Sequence, residues 1–256
     1  MDLYTALSVF IFIFGLLIGS FLNVCIYRIP IKKTIIAGRS YCPNCNSLIP
    51  WYLNIPILSF LFLNGKCQNC KQPISFRYPA VELLTGLLFL LVWLTYGLAW
   101  ESLFVMLLFS ILIIISFIDF DLQIIPDSLI VALIALGIMH SIYYIIFMND
   151  NLLNPVIGFF AASGILFALG LIIPDSIGGG DIKLMAAAGV FAGTKLILLA
   201  LFIGALYASV LAIFLLVSKK GSMKTAIPFG PFLSLGIITS VIFGERLITL
   251  YLSIFT

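Results

Sequence analysis

Long, nearly uncharged apolar runs recur along the whole of this sequence, and they dictate its solvent. They fall near residues 4–27, 82–100, 102–118, 128–147, 155–173, 182–193, 195–217 and 227–244, with a short apolar tail to Thr256. A helix needs about 20 apolar residues to cross a bilayer, and a helix satisfies its own backbone in lipid. Hydrophobic residues make up 63% of the chain and charged residues only 9%, where soluble domains carry roughly 25%. The expected fold class is therefore an all-α polytopic membrane protein with about eight transmembrane helices. The run at 182–193 is too short to span alone at about 1.5 Å per residue; its Ala186-Ala187-Ala188-Gly189 stretch predicts tight packing against neighbouring helices. The first run has no basic segment before it and no small-residue cleavage site after it, so it reads as a retained helix rather than a signal peptide.

One segment differs. Residues 28–81 hold Arg28, Lys32, Lys33, Arg39, Lys66, Lys71 and Arg77, and four of the five cysteines. This is a small polar insertion between the first two spans. Placing it in the cytoplasm and alternating puts those seven cations inside with Lys183, Lys219, Lys220 and Lys224, leaving Lys195 and Arg246 outside. Cytoplasmic loops carry the excess of Lys and Arg, so the N-terminus is expected outside. The stretches 119–127 and 174–182 then face the cytoplasm.

Those two stretches hold Asp119, Asp121, Asp127, Asp175 and Asp181, five of the ten acidic residues. Ionisable groups at membrane depth are costly and mark function. Gly178-Gly179-Gly180 precede Asp181; glycine permits sharp turns and close backbone approach. Two carboxylates from different helices can share a proton, one serving as base and the other as acid. The residues alone leave two readings of Asp119 and Asp181, a functional pair or solvated loop acids. Asp127 follows Pro126 and is a candidate helix N-cap. Asp175 reads as an interfacial loop acid. His140 is the sole histidine, which rules out multi-histidine metal sites, and a packing or interfacial role is expected for it. A Ser-His-Asp triad could be built only around His140.

Cys42-Pro43-Asn44-Cys45 and Cys67-Gln68-Asn69-Cys70 form two Cys-x-x-Cys pairs with 21 residues between them. Four thiolates suit tetrahedral zinc. Two disulfides are the alternative, but cytoplasmic thiols stay reduced, which favours a closed, structural metal site. Cys25, in the first span, reads as a small apolar residue.

These residues together resemble a known family. Gly178-x-Gly180-Asp181 is similar to the Gly-x-Gly-Asp signature of intramembrane aspartyl proteases. Ile118-Asp119-x-Asp121-x-x-x-Ile125-Pro126-Asp127 resembles the first-aspartate motif of bacterial type IV prepilin peptidases. Gly19-Ser20-Phe21-Leu22-Asn23-Val24-x-Ile26-Tyr27-Arg28-Ile29-Pro30 resembles their N-terminal motif, and Ile227-Pro228-Phe229-Gly230-Pro231-Phe232-Leu233 their C-terminal one. The Cys-x-x-Cys pairs sit where that family has them. The resemblance implies Asp119 and Asp181 as catalytic dyad, with Gly178, Gly180, Asp121 and Asp127 supporting. It implies cleavage of prepilin or pseudopilin leaders after Gly. Many members also N-methylate the new N-terminus with S-adenosylmethionine; no residue pattern here marks a methyl-donor site.

The expected organisation is a first transmembrane helix at 1–27, a cytoplasmic four-cysteine zinc module at 28–81 and a transmembrane aspartyl protease core at 82–256. The expected setting is the bacterial inner membrane, with lipid and prepilin as partners and no nucleic acid. Two rival classes are an ion- or proton-coupled transporter and a zinc-dependent membrane assembly protein. Internal symmetry would favour the transporter, and none is convincing in the sequence.

Overall fold

The computed structural model describes residues 2–36, 40–42, 44–148, 151–173, 177–218 and 228–254. Arg39, Asp175, Lys219, Lys220, Lys224 and Ile227 lie outside the described residues. The long helices are α1 (Leu3–Arg28), α3 (Arg77–Tyr96), α4 (Trp100–Leu122), α5 (Asp127–Met148), α6 (Leu153–Ile172), α7 (Gly179–Val217) and α8 (Gly230–Leu252); a short α2 covers Leu58–Phe62. All seven long helices have the length and composition to cross a membrane, so the protein is a multi-pass membrane protein. Among the described residues, extended pairing is limited to two isolated bridges.

The apolar runs locate the helices but misplace several ends. α3 starts at Arg77, five residues before the run at 82–100, because Pro79 is tolerated within a first helical turn. It stops at Tyr96, where Gly97 takes a positive φ of 64°. α4 runs four residues past the expected end at 118 and carries Asp119 and Asp121 on its last turn rather than on a loop. Its stop is Gln123, with φ 55°, whose N–H bonds back to the Asp119 carbonyl at 2.8 Å. The runs 182–193 and 195–217 are joined in α7 but separated at Gly193, whose φ of 72° and ψ of 177° break the helix.

The chain forms two compact units, Met1–Ile114 and Ile115–Thr256. In the first, α1 packs on α3. A Cβ at Gly19 would come within 2.7 Å of the Glu82 Cα, so the small residue sets how closely the two helices approach. Trp93 Nε1 donates to Ser8 Oγ at 3.0 Å, and Val81, Phe89 and Val92 are buried. Beyond α1 the chain makes one turn of 3-10 helix at Trp51–Asn54, then α2.

In the second unit α5, α6 and α8 all pack on α7. Lipid tails give apolar side chains no reason to prefer one another, so close backbone packing must hold such helices. Gly158 of α6 and Gly189 of α7 meet backbone to backbone, and a Cβ on either would overlap the other's carbonyl. The break at Gly193 frees polar backbone that lipid cannot satisfy. Asn154 of α6 repairs part of it: its Oδ1 accepts the Thr194 N–H at 3.0 Å, and its carbonyl accepts the Thr194 hydroxyl at 3.2 Å. His140 is buried and stacks on Phe191 of α7, with ring centroids 4.0 Å apart, the packing role expected of it.

Valine at Gly158 should force α6 from α7. We expect Gly158→Val to cost at least about 1–3 kcal/mol, the usual range for overpacking, read as a lowered thermal midpoint of the detergent-solubilised protein.

Candidate active site and metal centre

Asp119 and Asp181 belong to the second unit and come from α4 and α7. They are 6% and 9% exposed, and they lie near enough for the charge of one to act on the other. Asp181 is the third residue of α7, after the cap Gly178. Its carboxylate turns back to accept the Gly178 backbone N–H, as a third-position acid does in a capping box. A Cβ at 178 would sit 3.0 Å from Asp181 Oδ2, so glycine leaves room for that return. Gly180 has a different reason. A Cβ there would meet the Ile125 side chain at 3.1 Å, so the segment carrying Ile125-Pro126-Asp127 rests against the Gly-x-Gly-Asp turn. No residue of the glycine run takes a positive φ; close approach, not left-handed backbone, is what it supplies.

Asp119 is held in a parallel way by α8. The N–H of Gly230, first residue of that helix, donates to Asp119 Oδ2 at 3.0 Å in a buried setting. A Cβ at 230 would fall 2.7 Å from the same oxygen. Both carboxylates therefore sit at helix N-termini, where unpaired N–H groups and the helix dipole favour negative charge.

Asp127 is exposed and opens α5. The cap position is filled by Pro126, whose carbonyl takes the Leu129 and Ile130 N–H groups. Asp127 instead accepts from Lys183 Nζ at 2.7 Å, tying α5 to α7 two residues beyond Asp181. Both partners are solvent-exposed, which makes the pair weak in stability terms. Asp121 is exposed on the last turn of α4, turned away from the buried position of Asp119.

In the first unit the two Cys-x-x-Cys pairs form matching knuckles. The Cys42 N–H bonds the Ser47 carbonyl and the Cys67 N–H bonds the Gln72 carbonyl, at 3.0 and 2.9 Å. The residue after each pair, Asn46 or Lys71, takes a positive φ of 55° or 60°. All four sulfurs lie within 4.8 Å of one another, with Cys42–Cys70 at 3.9 Å and Cys45–Cys67 at 4.0 Å. Zinc–sulfur bonds of about 2.3 Å in a tetrahedron put sulfurs about 3.8 Å apart, and a disulfide needs about 2.05 Å. The spacing fits a metal and excludes bridges. A hydrogen bond from Ser47 brings the Cys45 thiol down to about 6. Backbone N–H groups of Cys70 and Asn69 lower that of Cys67. The Gln72 backbone bond favours the Cys70 thiolate, but burial and the adjoining sulfurs outweigh it and push that thiol up to about 11. Four crowded sulfurs ionise together only around a cation.

The type IV leader peptidase family model matches residues 106–213, and the model of the bacterial peptidase A24 N-terminal domain matches residues 13–96. A prepilin leader peptidase/N-methyltransferase of Aeromonas hydrophila is 32% identical, the alignment covering 96% of this chain and 93% of the relative. Proteins of the same description from Stutzerimonas stutzeri and Bacillus subtilis (strain 168) are 34% and 33% identical, over 94% of this chain and 92% and 96% of theirs. The chain belongs to the type IV leader peptidase family. No solved structure matches it.

The family's first-aspartate and Gly-x-Gly-Asp motifs thus approach each other in this peptidase at Ile125 and Gly180. Two partners escaped sequence reasoning. Gly230 lay in a motif whose role the pattern did not reveal, and Lys183 entered only as a cation of the charge count. We expect the purified peptidase to carry one zinc per chain by elemental analysis, and Cys42→Ser or Cys67→Ser to lose it.

Proposed function

We propose that this peptidase is an aspartyl endopeptidase that removes the leader of type IV prepilins or pseudopilins after Gly, on the cytoplasmic side of the inner membrane. The observation that carries the reading is two buried carboxylates from different helices, close enough for the charge of one to act on the other, each held by a main-chain N–H at a helix N-terminus. One carboxylate takes a proton from water as its oxygen attacks the scissile carbonyl carbon. The other gives a proton to the leaving nitrogen as the C–N bond breaks. The pair then holds one proton between them as before and acts as a unit. Gly230 fixes Asp119 Oδ2, which presents Oδ1 to the water. Gly178 and Gly180 give Asp181 its place, Asp127 with Lys183 links the two helix starts, and Asp121 supports from the edge.

The division of labour follows: a first transmembrane helix at 1–27, a zinc-stapled module at 28–81 and a protease core at 82–256. The charge bias supports an outside N-terminus and a cytoplasmic active site. Lipid surrounds the spans, and nothing in the charge pattern calls for nucleic acid. Zinc on Cys42, Cys45, Cys67 and Cys70 is structural, because four protein ligands leave no open position. The name shared by the relatives supports a second step, methylation of the new N-terminal amine. S-adenosylmethionine, when bound, would supply the methyl group for that amine.

The first test is cleavage of purified prepilin in lipid. Wild type should remove the leader, and Asp119→Asn and Asp181→Asn should each slow it by at least a hundredfold while keeping zinc and the wild-type melting temperature. Wild-type rates in either variant would sink the dyad. A transporter would translocate ions and leave prepilin whole; an assembly protein would fail on losing its cysteines and tolerate both aspartate changes. Gly230→Ala should lower kcat tenfold or more with little change in KM, because the added methyl displaces Asp119 without touching the leader.

A further inference from the structure

Buried polar groups of a membrane helix are nearly always paired, because lipid offers them no partner. Helical serines in this protein follow that rule by bonding the carbonyl four residues back: Ser110 to Met106, Ser163 to Phe159 and Ser209 to Ala205. Ser240 of α8 reaches across instead to the Leu196 carbonyl of α7. Ser234, also on α8, does neither. It is 1% exposed, and among the described residues its Oγ is the only buried hydroxyl oxygen without a hydrogen-bond partner. The Gly230 carbonyl stands four residues back, where the other serines find theirs.

The place of this orphan on α8 gives it meaning. Gly230 and Ser234 are one turn apart on one face of the helix. The flank of α8 at Gly230 is covered by Asp119: the three atoms nearest to a Cβ built there are Asp119 Oδ2, Cγ and Cβ, at 2.7, 3.2 and 3.4 Å. Helix positions four apart put their Cβ atoms roughly 5–6 Å from each other, and helical side chains lean toward the N-terminus. Ser234 therefore leans toward the carboxylate that Gly230 holds. The gap is longer than a direct hydrogen bond, since Oγ makes none. One water spans such a gap, with O–H···O bonds of about 2.7–2.8 Å on each side. Oδ2 already accepts the Gly230 N–H, and a carboxylate oxygen has a second lone pair to offer.

We propose that Ser234 is a positioning residue for the cleavage, holding Asp119 Oδ2 through a single buried water. The inference rests on the dyad reading given under the proposed function. The Ser234 hydroxyl donates to the water, and the water donates to Oδ2. Gly230 grips that oxygen from the end of α8, and Ser234 grips it from the flank. One hold leaves the carboxyl free to swing about the Oδ2 contact. Two holds fix its plane and keep Oδ1 turned to the reacting water. Ser234 itself touches neither the leader nor the scissile bond.

The test measures prepilin cleavage in lipid by the full-length peptidase and by Ser234→Ala, Ser234→Thr, Ser234→Val and Asp119→Asn, each checked for zinc content and melting temperature. We expect Ser234→Ala to lower kcat roughly three- to tenfold, the scale of one hydrogen bond, with KM within about twofold of wild type. Threonine keeps the hydroxyl, and valine has the same shape without it. Ser234→Thr should therefore outpace Ser234→Val by a similar factor, whatever the added bulk does to both. Wild-type kcat in Ser234→Ala overturns the assignment. Equal cleavage by the threonine and valine variants does so too, as does a loss carried by KM alone. Asp119→Asn separates the two readings. If it is inactive while Ser234→Ala cleaves like wild type, Ser234 is a packing residue and the dyad stands. If it cleaves like wild type, the dyad falls and the role of Ser234 with it.

Discussion

Main-chain amides at two helix N-termini hold both buried carboxylates, and the second unit is arranged to bring those termini to them. A carboxylate out of water needs hydrogen-bond donors, because an isolated buried charge is among the most expensive things a protein can hold. A side-chain cation would neutralise it and dull it as a base. An amide donates without carrying a full charge, so it holds the group in place and leaves its chemistry intact. Gly178 and Gly230 serve this purpose from the starts of α7 and α8.

The rest of the unit follows from fixing those two starts. α7 must run close to α6, and the Gly158–Gly189 contact makes that possible. It must also break: Gly193 interrupts its course, and Asn154 takes up backbone groups that the break exposes. The Asp127–Lys183 pair then ties α5 to the first turn of α7. Each of these contacts acts on the helix that carries Asp181. The first unit solves another problem. Its polar insertion is too small to bury much core, and a four-cysteine cluster with two matching knuckles does the work of one.

Much of this was legible in the sequence, because lipid imposes a simple code. An apolar run of sufficient length is a helix, so α1, α5 and α6 were read to within a residue or two at each end. Paired cysteines at knuckle spacing speak for themselves. What could not be read depends on contacts between distant residues. Gly230 and Asp119 are 111 positions apart, and no local periodicity links them. Asp119 reads as a loop acid because an ionisable residue ends an apolar run, yet the helix goes on, its charge supported from α8. The glycines before Asp181 announce close approach without saying to what; the answer, Ile125 and the carboxylate itself, lies in three dimensions.

The identity of Asp119's donor bears on how the site can be found by mutation. A scan that replaces side chains one at a time removes what side chains do, and the Gly230 N–H survives every such change but proline. Alanine at 230 adds bulk but keeps the N–H, so its effect reports crowding. Only exchange of that peptide bond for an ester would delete the donor and leave the space unaltered. Part of the machinery is therefore written in the backbone, where a genetic screen does not look.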